Sequence, residues 1–154
     1  MNNLIIACDP DSDKSGWAVV KNGELVTLTC LSLIEIYESF HELYLSMNHQ
    51  AIELHIENVN GISAAFNARD RKSSLAVKLK VAQHIGMCKQ VQIEIERIAK
   101  HFGIKVVHHP VSKMWKDSKT GKAALNEVFG YDGQSNEDSR SAAYFSYRAL
   151  QASK

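Results

Sequence analysis

The first apolar run, Leu4 to Cys8, is unbroken and rich in isoleucine, the pattern of a strand covered on both faces. It ends in Asp9-Pro10. Pro10 has no N–H for a ladder, so the chain turns there. Asp11 to Ser15 is a polar turn, and Gly16 to Val20 (GWAVV) returns as a second strand. Asn22-Gly23, a strong hairpin signal, leads into a third strand over Glu24 to Cys30. Ile36, Tyr37, Phe40, Leu43, Tyr44 and Met47 keep helical spacing and predict a helix over Ile34 to Met47. Ser32 is its N-cap, with Glu35 three residues on. Strict alternation over Ala51 to Glu57 predicts a fourth strand. Ile52, Leu54 and Ile56 lie on one face and Glu53, His55 and Glu57 on the other.

Asn58 to Arg71 reads as a loop, followed by a long helix from about Lys72 to Phe102, stopped by Gly103. Its apolar face is Leu75, Leu79, Ala82, Gly86, Val91, Ile95, Ile98 and Phe102. Ile104 to His108 is a fifth strand, closed by Pro110. Ser112 to Val128 is a lysine-rich loop leading into a short helix. A last helix runs from near Ser135 to about Gln151, with Ser135 and Asp138 at capping-box spacing. This order specifies an α/β fold, a mixed five-stranded sheet flanked by helices, in one domain spanning 1–154.

A hydrophobic content of 45% and a charged content of 23% are ordinary for a globular chain. No apolar run approaches the ~18 residues of a membrane span, and no secretory signal pattern opens the chain. Cys8, Cys30 and Cys88 make no disulfide or zinc spacing and suit a reducing, cytoplasmic setting. Charge changes the picture more. Residues 1–57 hold two lysines against nine acids, a net of −7, while residues 69–122 carry a net of +9. An acidic part and a basic part suit a polyanion held by the one while metal ions neutralise the other.

Three carboxylates stand at informative places: Asp9 ends the first strand, Glu57 ends the fourth, and Asp138 opens the last helix. A strand reached through a helix is commonly parallel to its neighbour, so the fourth strand pairing beside the first brings Glu57 to Asp9. Gathered acids repel one another, and two divalent cations remove that repulsion, clamp a phosphate and activate water. Hard oxygen donors suit Mg²⁺ or Mn²⁺. Lys113, Lys116, Lys119 and Lys122, with Trp115 among them, fit contacts to a phosphate backbone, as do Arg69, Arg71 and Lys72. His55 is set aside as a packed or hydrogen-bonded side chain.

With these residues in view, the chain resembles the RuvC family of Holliday junction resolvases, within the RNase H-like superfamily. The residues that carry the likeness are ACDPDSDKSGWAVV, AIELHIENVN, PVSKMWK with TGKAALNEV, and the acidic start of the last helix, in the family's order over nearly the whole chain. The resemblance implies a Mg²⁺- or Mn²⁺-dependent endonuclease with a pair of ions in each active site, acting as a homodimer on branched DNA in recombination and repair. It implies Asp9, Glu57 and Asp138 as metal ligands and Lys116 as the basic residue beside the cleaved phosphate. The sequence departs from the family at Ser141, where a fourth carboxylate often stands, and at Asn60, in place of an aromatic wedge. Two other readings stay open: a non-catalytic DNA-binding protein of the same fold, and a flap or fork nuclease. A short chain of this kind fits the cytoplasm of a bacterial or phage-infected cell.

Overall fold

In the computed structural model, residues 4–46, 51–61 and 73–153 are described. The elements are β1 (Leu4–Asp9), β2 (Ser15–Lys21), β3 (Glu24–Leu31), α1 (Leu33–Ser46), β4 (Ile52–Glu57), α2 (Leu75–His101), β5 (Lys105–His109), α3 (Ser118–Phe129) and α4 (Glu137–Ala152). A 3₁₀ turn, Val59–Gly61, follows β4. The strands form one sheet in the order β3-β2-β1-β4-β5. β1–β2 and β2–β3 are antiparallel, and β4 is parallel to both β1 and β5.

The unbroken apolar run of β1 follows from its central place, since every residue of that strand is buried. One face packs Leu4, Ile6, Cys8, Trp17, Val19, Leu54 and Ile56 against Ile36 and Phe40 of α1 and Ile95 and Ala99 of α2. The other packs Ala7 and Ala18 against Ala142, Ala143 and Phe145 of α4. Small residues on both sides let α4 lie close on the sheet. Asn22 and Gly23 both take positive φ, 53° and 88°, as the Asn-Gly turn requires. Ser32 and Glu35 cap α1 reciprocally: the Ser32 N–H donates to Glu35 Oε2 at 2.7 Å, and the Glu35 N–H to Ser32 Oγ at 3.4 Å.

Three expectations change. α4 is capped one residue later than its sequence suggests: Asn136 accepts from the Ser139 N–H at 2.9 Å, and Ser139 Oγ accepts from the Asn136 N–H at 3.0 Å. Asp138 therefore has no part in the capping box. Lys119 and Lys122 lie within α3, not in a loop, because Asp117 caps that helix by accepting from the Lys119 and Thr120 N–H groups. The apolar face expected along α2 is buried only in its C-terminal half. Leu75 and Leu79 are exposed. Met47, Arg69, Arg71 and Lys72 lie outside the described residues.

Candidate active site

β1 and β4 run parallel, and their last registered pair is Cys8 with Ile56. Asp9 and Glu57 are the next residue on each, so both carboxylates leave the same end of the sheet. Asp9 is 3% exposed and Glu57 2%. The third acid arrives from the other side. Asp9 pairs across the ladder with Gly16 of β2, and a Cβ at Gly16 would stand 2.0 Å from the Asp138 carbonyl oxygen. Only a residue without a side chain lets the first turn of α4 reach the sheet there. Gly16 thus ties the position of Asp138 to that of Asp9.

The electrostatics are those of crowded acids. Burial, then the charge of Asp9, pushes the Glu57 carboxyl up to about 7, although the Ser112 N–H donates to Glu57 Oε1 at 3.0 Å and Lys116 lies near. Burial, then Asp9 and Asp11, pushes Asp138 up to about 6. Neighbouring carboxylates resist ionising together, so a proton or a cation has to enter the group. Lys116 supplies part of that charge, with its Nζ 2.9 Å from Asp9 Oδ2. Burial works against the Lys116 ammonium, but Asp9, Glu57 and Asp138 outweigh it and hold its pKa above the usual value. The contact is a pairing of charges on a buried carboxylate oxygen. The three carboxylates, with Asp138 near enough to feel the charge of Asp9, make an all-oxygen donor set suited to a hard divalent cation, although they do not bring one oxygen each to within 4.8 Å of the others.

Lys116 is held by a device that sequence reasoning misses. Trp115 adopts a left-handed backbone, φ 63°, which turns its carbonyl inward. Arg140, 4% exposed, donates from Nε to that carbonyl at 2.9 Å. It also donates from Nη2 to the Lys116 carbonyl at 2.7 Å and from Nη1 to the Ser135 carbonyl at 3.0 Å. A Cβ at Gly121 would lie 2.0 Å from the Trp115 oxygen, so this glycine is as constrained as Gly16. The signal in the sequence is a lone arginine amid small residues, Ser-Arg-Ser-Ala-Ala. The Trp115 ring does not face outward to a backbone of DNA. It is buried and stacks on Tyr147, centroids 5.6 Å apart.

The remaining candidates are placed more loosely. Lys113, Lys119 and Lys122 are exposed, Lys113 on the segment between β5 and α3 and the others on α3. Ser141 is fully buried and its Oγ has no hydrogen-bond partner. His55 is hydrogen-bonded, as its place on β4 suggests: Nδ1 lies 2.8 Å from His109 Nε2 and Nε2 3.4 Å from Glu53 Oε2. Burial is the first cause that lowers both imidazoles, His109 to about 4.

No protein-family model matches the chain, and no curated protein matches its sequence. Solved structures do match. The chain is similar to Thermus thermophilus RuvC in complex with a Holliday junction substrate, with a TM-score of 0.57 and 12% identity, over 97% of this chain and 96% of that one. A second structure of Thermus thermophilus RuvC gives a TM-score of 0.55 at 12% identity with the same coverage. At this identity the likeness speaks for architecture, and the mixed five-stranded sheet with its flanking helices is the RNase H-like fold found in RuvC.

Proposed function

We propose that the protein is a divalent-metal-dependent endonuclease that cuts branched DNA at four-way junctions. The observation that carries this reading is a pair of buried acids, Asp9 and Glu57, at the same end of two adjacent parallel strands, with Asp138 near enough to feel the charge of Asp9 and Lys116 paired to Asp9 Oδ2. Asp9, Glu57 and Asp138 would hold the metal, Mg²⁺ or Mn²⁺, which when bound polarises a phosphate and supplies an activated water. The chain's own contribution is positional. Asp9 and Glu57 are fixed by adjacent parallel strands, and Asp138 by the seat of α4 on Gly16. Lys116, paired with Asp9 beside the acids, would set its positive charge against the phosphate being cut, where negative charge builds in the transition state. Lys113, Lys119 and Lys122 hold the flanking backbone.

A homodimer follows from the symmetry of the substrate. A two-fold protein presents one site to each of two opposed strands of a junction. Leu75, Val77, Leu79, Val81 and Met87 leave the N-terminal half of α2 with an exposed apolar surface suited to a second copy. A non-catalytic DNA-binding role has one observation in its favour, the buried Ser141 where a fourth acid is absent. Labelled four-way junction, flap and linear duplex, each incubated with Mg²⁺ or with EDTA, separate these readings. The nuclease reading expects paired nicks in the junction with Mg²⁺ and none with EDTA. Binding without cutting in either condition supports the non-catalytic reading, and preferred cutting of the flap removes the junction assignment.

A further inference from the structure

Outside the acidic group, Asp11, His84 and Cys88 bring one potential ligand atom each to within 4.8 Å of the others. His84 and Cys88 stand four residues apart on α2 and so share a face one turn apart. Asp11 comes from the turn between β1 and β2, two residues beyond Asp9. His84 Nε2 lies 3.6 Å from Cys88 Sγ and 3.7 Å from Asp11 Oδ2. The second distance is too long for a hydrogen bond. Both are close to the edges of a coordination tetrahedron: with metal bonds of ~2.0 Å to nitrogen or oxygen and ~2.3 Å to sulfur, the ligand atoms stand roughly 3.3–3.6 Å apart.

Two further features suit an ion. Ser12 Oγ lies 3.4 Å from His84 Nδ1. With the Nδ1–H donating to that hydroxyl, the Nε2 lone pair faces Asp11 and Cys88, the arrangement by which an outer partner orients a ligating histidine. Burial is graded, with Cys88 buried, Asp11 half-buried and His84 exposed. An ion can therefore enter from solvent and keep water on its open side.

We propose that Asp11, His84 and Cys88 form a second metal site that takes a borderline-soft divalent cation, Zn²⁺, with three protein ligands and one water. Thiolate and imidazole select this class of ion, whereas an all-oxygen group selects Mg²⁺. On binding, the Cys88 thiol releases its proton to solvent and the thiolate takes the metal bond. The ion cross-links the N-terminal half of α2, where Leu75, Val77 and Leu79 are exposed, to the turn that leaves Asp9. The proposal does not rest on the nuclease reading.

The test uses Co²⁺ as a spectroscopic stand-in for Zn²⁺ on metal-stripped, reduced full-length protein. One equivalent should give a near-ultraviolet thiolate-to-cobalt charge-transfer band with the strong visible absorption of a tetrahedral site, and Zn²⁺ should bleach both. Cys88→Ser should remove the charge-transfer band, and His84→Ala should weaken binding by roughly tenfold or more. Asp9→Asn should leave the spectrum intact, which separates this site from the acidic group. If Cys88→Ser does not fold, alkylation of the native protein gives the answer: Zn²⁺ should slow modification of Cys88 and leave Cys30 unchanged. A weak octahedral spectrum, a charge-transfer band that survives in folded Cys88→Ser, or Cys88 alkylation indifferent to Zn²⁺ overturns the proposal.

Discussion

Gly16→Ala is the smallest change that tests how the site is assembled. The added Cβ would stand 2.0 Å from the Asp138 carbonyl oxygen and 2.3 Å from its carbon, where real contacts do not fall below 3.0 Å. The gap must open by about 1 Å, and neither side can yield by rotating a side chain, because both are backbone. Overpacking costs ~1–3 kcal/mol in general, and a backbone clash between a central strand and a helix end belongs at the upper end of that range. For a chain of this size that is a fall in Tm of roughly 6–12 °C. Activity should suffer further: a shift of about 1 Å in one of three cooperating acids can cost ~100-fold. The assays are thermal unfolding by circular dichroism and single-turnover cleavage of a four-way junction. Gly86→Ala is the control. This glycine is exposed on α2 with nothing within 4 Å of the place its methyl would take, so alanine should stabilise by about 1 kcal/mol. Wild-type melting and cleavage in Gly16→Ala would refute the seating of α4 on β2.

Asp138→Asn should abolish cleavage with little change in Tm, because the cap of α4 belongs to Asn136 and Ser139, while exposed Glu137→Gln stays active; the reverse pattern would shift the site by one residue. Arg140→Lys cannot hold the Trp115, Lys116 and Ser135 carbonyls together, so it should lower kcat far more than it weakens DNA binding, and lose about 1–3 kcal/mol of stability; equal losses in both would deny its role in positioning Lys116. The fourth prediction is a pH dependence. Glu57 binds its proton more tightly folded than unfolded, so its contribution favours the fold at low pH and is lost as pH rises through about 7. His109, lowered to about 4, works in the opposite direction, but only between about 4 and 6.5. Between pH 6.5 and 8 in EDTA, stability should therefore fall by about 1 kcal/mol, or roughly 2–4 °C in Tm. Mg²⁺ should remove the slope, and a slope that persists in Glu57→Gln would assign it to another group.

The strands are legible in the sequence because their chemistry is local. An unbroken apolar run, an Asn-Gly turn and a strict alternation each fix an element without reference to the rest of the chain. Asp9 and Glu57 are legible as partners once β4 is parallel to β1. Arg140 is not, because its three acceptors are carbonyls on segments 5, 24 and 25 residues away, and a carbonyl has no identity in a sequence. The cap of α4 lies one residue from its expected place because Ser135 and Asn136 are both good N-caps; in the fold Asn136 pairs with Ser139 while Ser135 accepts from Arg140. The apolar face of α2 runs further in sequence than it is buried in the fold, since periodicity reports that a face exists and not what covers it.

The proposed chemistry stands or falls on three buried or half-buried acids acting together as a metal-dependent cutting centre. Asp9→Asn probes that cooperation at its middle member, since asparagine keeps the shape of the side chain and removes the charge. Wild type and variant are compared on a labelled four-way junction in Mg²⁺, with binding followed by gel shift in Ca²⁺ or EDTA and cutting by denaturing gel. Junction binding should stay within a few-fold of wild type while cleavage is lost altogether. Cleavage by Asp9→Asn at the wild-type rate in saturating Mg²⁺ would contradict the three-acid centre.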